Sequence, residues 1–226
     1  MSEGRGSNRY YVLGLFFVVY LINFVDRQIL SILIEPIKLE LDATDTVMGL
    51  LTGLTFALFY SVAGIPLARL ADRFNRRNIL AAGLAVWSAM TGLSGMAVSL
   101  WQLALARVGV GVGEATCVPT AHSLISDYFP ASRRATALAI FSMGAHGGGM
   151  VGLILGGWVN EWLGWRWAFV LAGAPGVALA LLVRFTVREP RRGRLDPGQG
   201  TEASKSFTEV LSYLWNRKAF RNLALA

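Results

Sequence analysis

The sequence predicts an all-α membrane protein built on six transmembrane helices. Three observations carry that expectation. Of 226 residues 54% are apolar and 15% charged, with a mean hydropathy of +0.49, whereas a soluble domain of this size carries nearly twice that charged fraction. The apolar residues gather into six runs of about the 20 residues that a helix needs to cross a hydrocarbon core of ~30 Å. No run alternates with the period of two of a barrel strand, and in lipid an apolar span must satisfy its backbone groups as a helix.

The first run, Tyr11 to Ile34, is interrupted by Asp26 and Arg27. A signal peptide is shorter and ends at small residues, whereas this stretch ends in Asp26-Arg27 and five more runs follow. The others are Val47 to Ala68, Ile79 to Leu100, Trp101 to Ile125 with Arg107 and Glu114 inside it, Ala135 to Val159, and Trp167 to Val183. With six crossings, the basic residues of the N-terminus, of the loops at Arg69 to Arg77 and Arg133-Arg134, and of everything from Arg184 onward share one side. Lys38 and Arg166 fall on the other, with Glu35, Glu40, Asp42, Asp45 and Glu161. The excess of Lys and Arg makes the first side cytoplasmic, so both ends of the segment face the cytoplasm of a cell-membrane protein.

The net charge of +7 does not indicate nucleic acid, because the bases lie between apolar runs rather than clustered on a soluble face. Cys117 is single and lies inside a run, which leaves no disulfide framework or cysteine metal site. No catalytic triad, metal cluster or nucleotide loop stands out, so neither an enzyme nor a cofactor nor a bound metal is expected. The domain reading is a cytoplasmic N-terminus over 1–9, a six-helix bundle over 10–187 and a linker over 188–206, rich in Arg, Gly, Pro and Ser. Phe207, Val210, Leu211 and Leu214 recur at helical spacing and predict an amphipathic surface helix over 207–217. Residues 218–226 open another apolar run, read as the start of a seventh span in a chain cut short there.

Ala68-Arg69-Leu70-Ala71-Asp72-Arg73-Phe74-Asn75-Arg76-Arg77 is more than a basic turn. It resembles the loop signature of the major facilitator superfamily, Gly-x-x-x-Asp-Arg-x-Gly-Arg-Arg, with Ala68 and Asn75 standing at the two Gly positions. Ala still allows close helix approach, and Asn tolerates the left-handed conformation better than most residues. In the fourth run, Arg107-Val108-Gly109-Val110-Gly111-Val112-Gly113-Glu114-Ala115 is similar to the superfamily pattern Arg-x-x-x-Gly-x-Gly-x-Ala. It is not a dinucleotide fingerprint, since Thr116 replaces the last Gly and no strand precedes it. Gly164-Trp165-Arg166-Trp167-Ala168-Phe169 also resembles the superfamily. Within it, Asn23-Phe24-Val25-Asp26-Arg27, Gly113-Glu114-Ala115 with Pro119, and Ser123 to Pro130 resemble the spinster family of proton-linked carriers of sphingosine phosphate and lysophospholipids.

The resemblance implies the N-terminal half of a secondary transporter. That half would consist of two inverted three-helix repeats, partnered by a C-terminal six-helix half, and it would move an amphipathic anionic lipid-like substrate with protons by alternating access. It implies that Asp72, Arg73, Arg76 and Arg77 form a cytoplasmic gate, with Asp72 meeting a helix end of the other half. A drug or organic-anion exporter is the alternative within transport; a non-transporting receptor or scaffold is the alternative outside it. Gly144, Gly148, Gly152 and Gly156 form an every-fourth-residue ladder, whose default role is backbone-to-backbone packing of two helices. Smooth faces of that kind can also slide.

Asp26, Arg27, Arg107 and Glu114 are the full charges deep in the runs. A charge at the bilayer centre costs at least ~2.5 kcal/mol, so they should face an interior, either as static pairs or as a working site. From the 1.5 Å rise, Asp26 and Arg107 both lie ~8 to 9 Å below the outer surface and can pair. Glu114 returns to the Arg107 face one column ~10 Å deeper, away from any foreseen cation. Arg27, Arg107, Asn23 and Glu114 are therefore the expected substrate contacts, with Arg107 the principal fork for a phosphate head group and Arg27 either sharing that role or neutralising Asp26. Glu114, then Asp26, are the expected proton carriers. His122 and His146 are read as packing residues ahead of proton relays.

Overall fold

The computed structural model describes residues 8–193 together with 195, 213, 215–217 and 222. The expected surface helix over 207–217 and the seventh-span start at 218–226 lie, apart from isolated positions, outside the described residues. Among the described residues the chain is helical throughout, as α1 (Arg9–Ile32), α2 (Ile34–Leu41), α3 (Asp45–Gly49), α4 (Phe56–Arg73), α5 (Arg76–Ser94), α6 (Leu100–Glu114), α7 (Cys117–Tyr128), α8 (Ala131–Leu163) and α9 (Trp165–Thr186). A π-helical stretch, Leu50–Thr55, joins α3 to α4 into one rod. Four rods are long and apolar enough to span a membrane: Arg9–Ile32, Asp45–Arg73, Ala131–Leu163 and Trp165–Thr186. Helix α5 and the bent pair α6–α7 complete six.

Where the rods begin and end differs from the hydropathy runs for identifiable reasons. The first run stops at Ile32 because Pro36 has no N–H to give the Ile32 carbonyl; the chain turns at Leu33 and continues as the short α2. The fourth run is two helices for the same reason. Pro119 cannot donate to Ala115, so the chain bends at Ala115 and Thr116, immediately after Glu114. The third run ends at Ser94, well before Leu100, and α6 starts afresh with the Ser99 hydroxyl accepting from the Gln102 N–H. Gly164, at φ 83°, makes the sharp turn between α8 and α9.

Packing follows an internal twofold. Exchanging α1 for α6–α7, the α3–α4 rod for α8, and α5 for α9 maps the α1–α8 contact onto α4–α6 and the α1–α9 contact onto α5–α6, while α5–α9 maps onto itself. This is the packing expected of two inverted three-helix repeats. The glycine ladder packs as the spacing suggested: a Cβ on Gly148 would stand 2.1 Å from the Leu21 carbonyl oxygen, and one on Gly144 2.7 Å from that of Phe17. Backbone contact of this kind is how helices associate where lipid removes the hydrophobic drive.

Two apolar clusters fill the bundle, one around Phe16, Leu84, Trp87, Leu124 and Phe141 toward the arginine-rich end, the other around Leu33, Ile37, Leu103 and Phe169 toward the acidic end. Trp101, Trp158, Trp162 and Trp167 are exposed at the acidic end, as in an interfacial aromatic belt. Beyond it, Glu40 accepts from Arg166 Nη2 at 2.6 Å and from Trp165 Nε1 at 2.6 Å, while Arg166 Nη1 donates to the Gly95 and Ala97 carbonyls at 3.1 and 2.5 Å. One arginine thus holds α2, the α5–α6 turn and α9 together. These bonds, Arg166 first and then Trp165, keep the Glu40 carboxyl below its ordinary pKa. The latch therefore adds stability above the ordinary carboxylate range and loses it as pH falls through the depressed folded value. Thermal unfolding followed from about pH 6 down to about pH 3 should show a declining midpoint, shallower in Glu40→Gln; equal slopes would exclude the latch.

Candidate functional site

Between the two apolar clusters lies a polar belt. Asn23 and Asp26 from α1, Thr91 from α5, and Arg107 and Glu114 from α6 are each no more than 2% exposed. Helix periodicity explains the grouping: Asn23 and Asp26 are one turn apart on the α1 stripe that faces α5 and α6, and Arg107 and Glu114 are two turns apart on α6. Arg107 Nη1 stands 3.4 Å from Asp26 Oδ1, the pairing that depth alone suggested. The Thr91 hydroxyl bonds the other oxygen, Oδ2, and lies 3.0 Å from the Trp87 carbonyl.

Arg27 corrects the sequence expectation. It does not neutralise Asp26; its Nε donates to Glu114 Oε2 at 2.7 Å, and Glu114 therefore does have a fixed cation. Depth reckoned between backbones misled here because it takes no account of the reach of a long arginine side chain. Its guanidinium lies 5.2, 4.7 and 4.8 Å from the ring centres of Phe24, Phe56 and Tyr60, a cage of ring faces that suits a cation. At 28% exposure Arg27 is the open member of the pair, whereas the Glu114 side chain is fully buried. The belt is not fully satisfied. Both amide atoms of Asn23, Arg107 Nε and Glu114 Oε1 have no hydrogen-bond partner among the described residues.

Sequence reasoning missed Thr91, Phe56 and Tyr60, which look like ordinary residues of apolar runs. A crevice of about 460 Å³ between α4, α5 and α6, lined mainly by Leu67, Phe74, Ile79, Ala82 and Val86, is separate from the belt: none of its charged groups lines it. His122 packs edge-on against Phe141 at 5.4 Å, and His146 is exposed on α8.

At the arginine-rich end the loop motif divides. Asp72 and Arg73 are exposed. Arg76 is 2% exposed and donates to Asp127 at 2.6 Å, Glu189 at 2.7 Å and Ser123 Oγ at 2.8 Å. Glu189 accepts from the Arg77 backbone N–H at 2.9 Å, Arg77 Nη1 donates to the Val187 carbonyl, and Arg192 Nη2 donates to the Ala71 and Phe74 carbonyls at the end of α4. Asp127 and Glu189 were not foreseen as partners; they come from chain positions 51 and 113 residues beyond Arg76.

An inverted-repeat helical bundle with two cross-helix ion pairs in its interior, one closed and one partly open, defines a polytopic membrane protein with an interior charged site. The chain belongs to the Major Facilitator Superfamily, whose sequence profile matches residues 16–226. It is 41% identical to the MFS-type efflux pump of Mycolicibacterium smegmatis over 82% of its own length and 44% of the pump. It is 32% identical to the sphingosine-1-phosphate transporter SPNS2 of Danio rerio over 91% of its own length and 41% of that protein. Its fold matches the crystal structure of a bacterial homolog of the human lysosomal transporter Spinster, in an inward-facing and unoccupied conformation, with a TM-score of 0.84 and 38% identity, covering 96% of this chain and 51% of that one. The chain thus spans about half the length of the relatives it matches.

Proposed function

We propose that this chain is the N-terminal half of a proton-linked secondary transporter carrying an amphipathic anionic substrate, a lysophospholipid or sphingosine phosphate, by alternating access against a second six-helix half. The observation that carries the reading is Arg27: a partly exposed guanidinium fork, ringed by aromatic faces and held by a buried carboxylate. A phosphate head group can take the fork from Glu114, since Arg binds phosphate bidentately, while the rings accept apolar substance beside it. Glu114, released, takes a proton; Arg107 and Asp26 behind it are a second exchangeable pair, with Asn23 supplying amide donors and acceptors. The similarity to SPNS2 favours the lipid phosphate. The similarity to an efflux pump supports the second reading, export of a drug or organic anion through the same charged site.

The test is flux in proteoliposomes containing the complete transporter. Addition of lysophospholipid or sphingosine phosphate should move protons; substrate-independent proton leak, or no movement, counts against transport and favours a receptor or scaffold. Arg27→Lys keeps the charge and loses the fork, and should weaken binding of phosphate-headed lipid about tenfold, the difference of one hydrogen bond to a charged group. Equal binding would remove Arg27 from recognition. The arginine-rich end is cytoplasmic in this reading, and exposed Asp72 and Arg73 face the second half as a gate that Arg76 and Arg77 hold in place. Asp72→Asn should slow turnover without changing substrate affinity; undiminished turnover would exclude the gate.

A further inference from the structure

The Thr91 hydroxyl carries one proton and has two oxygen neighbours, the Asp26 carboxyl Oδ2 and the Trp87 carbonyl. A carbonyl only accepts, whereas a carboxyl accepts when ionised and donates when protonated. Two arrangements therefore satisfy every group without moving a heavy atom. With Asp26 ionised, Thr91 donates to Oδ2. With a proton on Oδ2, Asp26 donates to Thr91 Oγ1 and the Thr91 proton turns to the Trp87 carbonyl, the common back-bond of a helical threonine. We propose that Thr91 is a hydroxyl rotor that positions Asp26 for proton exchange, serving both protonation states in a site closed to bulk water.

The surroundings fit that role. Thr91 is fully buried and Asp26 is 2% exposed, so solvent does not compete for either. Asp26 is faced by Arg107 from α6 through its other oxygen, Oδ1; the neighbouring Arg27 is engaged with Glu114. Helix α8 meets α1 here with Gly148 and Gly152 against Leu21, Phe24 and Val25, and α9 meets it near the far end, where Tyr11 Oη lies 2.8 Å from Thr186. The incoming proton stays on Oδ2 and the hydroxyl keeps its own; only a bond rotates. The inference rests on the proposal that Asp26 exchanges a proton during transport.

Infrared difference spectra of the liposome-reconstituted protein against pH read it directly, with the Asp26 carboxylic acid band identified by its loss in Asp26→Asn. Thr91→Val removes a donor that the ionised form uses more strongly than the acid uses the acceptor. At the parent's midpoint pH the ratio of protonated to ionised Asp26 should therefore rise about three- to tenfold, and Thr91→Ser should restore it. In the parent, with tryptophan carbonyls isotope-labelled, a labelled amide band should shift together with the Asp26 band. An unshifted labelled band, a ratio within twofold of the parent in Thr91→Val, or failure of Thr91→Ser to restore it would each overturn the rotor. The labelled band needs no variant, so a poorly folding Thr91→Val leaves the question decidable. Undiminished proton-driven flux in Asp26→Asn would instead overturn the transport role of Asp26, leaving the spectra to judge the rotor alone.

Discussion

Glu114→Gln should abolish the pH-gradient drive while sparing substrate binding. Coupling to one proton is worth about a tenfold accumulation per pH unit of gradient, so a gradient of two units that concentrates substrate ~100-fold in the parent should give a ratio near one in the variant. The amide preserves shape and cannot carry the proton, so exchange of bound for free substrate should persist. The structure gives Glu114 its priority over Asp26 on grounds other than a missing cation. Its partner Arg27 is open to an incoming anion, which can displace it, and its second oxygen Oε1 is unpartnered among the described residues. Asp26 is paired with Arg107, which at 2% exposure is closed to an incoming anion. Uphill uptake that survives Glu114→Gln and disappears in Asp26→Asn would reverse the ranking, and survival in both would take coupling out of this half.

Arg76→Ala should be among the most destabilising single changes in the chain. Removing one member of a buried ion pair leaves the other charge unpaired and costs about 3 to 5 kcal/mol. Arg76 leaves two such carboxylates, Asp127 with 10% and Glu189 with 21% side-chain exposure, and the partial exposure of Glu189 pulls the expectation toward the lower figure. For a chain of this length that corresponds to a fall in thermal midpoint of about 6 to 20 °C. Arg76→Lys, which keeps charge but can reach fewer of the three side chains that Arg76 bonds, should fall between. A drop under about 3 °C for Arg76→Ala would mean that water already serves these carboxylates. The effect would make Arg76 an anchor within this half, and would separate it from Asp72 and Arg73 of the same motif.

The six spans were legible because they depend on apolar length, a quantity that adds along a chain, whereas the repeat architecture was implied by the motifs that resemble the superfamily. The Asp26–Arg107 pair was legible from the 1.5 Å rise, which brings both backbones to one level. The helix breaks at Leu33 and at Ala115 were carried by Pro36 and Pro119, yet hydropathy runs pass over them because proline alters a hydrogen bond and not the apolar count.

What the sequence determined by itself was the solvent of this protein, its helical class and which charges must be hidden from lipid. Apart from the Asp26–Arg107 pair, tertiary structure alone decided who pairs with whom. Arg27 chose Glu114 over adjacent Asp26 because a long flexible side chain is steered by the rings of Phe56 and Tyr60, on a rod that the chain reaches some thirty positions later. Thr91 became a partner of Asp26 only when α1 and α5 of the first repeat came together, and Asp127 and Glu189 became partners of Arg76 only when the later part of the chain folded back onto α5. Such contacts depend on direction and distance in three dimensions, and a charge sealed in a low-dielectric interior takes the partner within reach, however far away it lies along the chain.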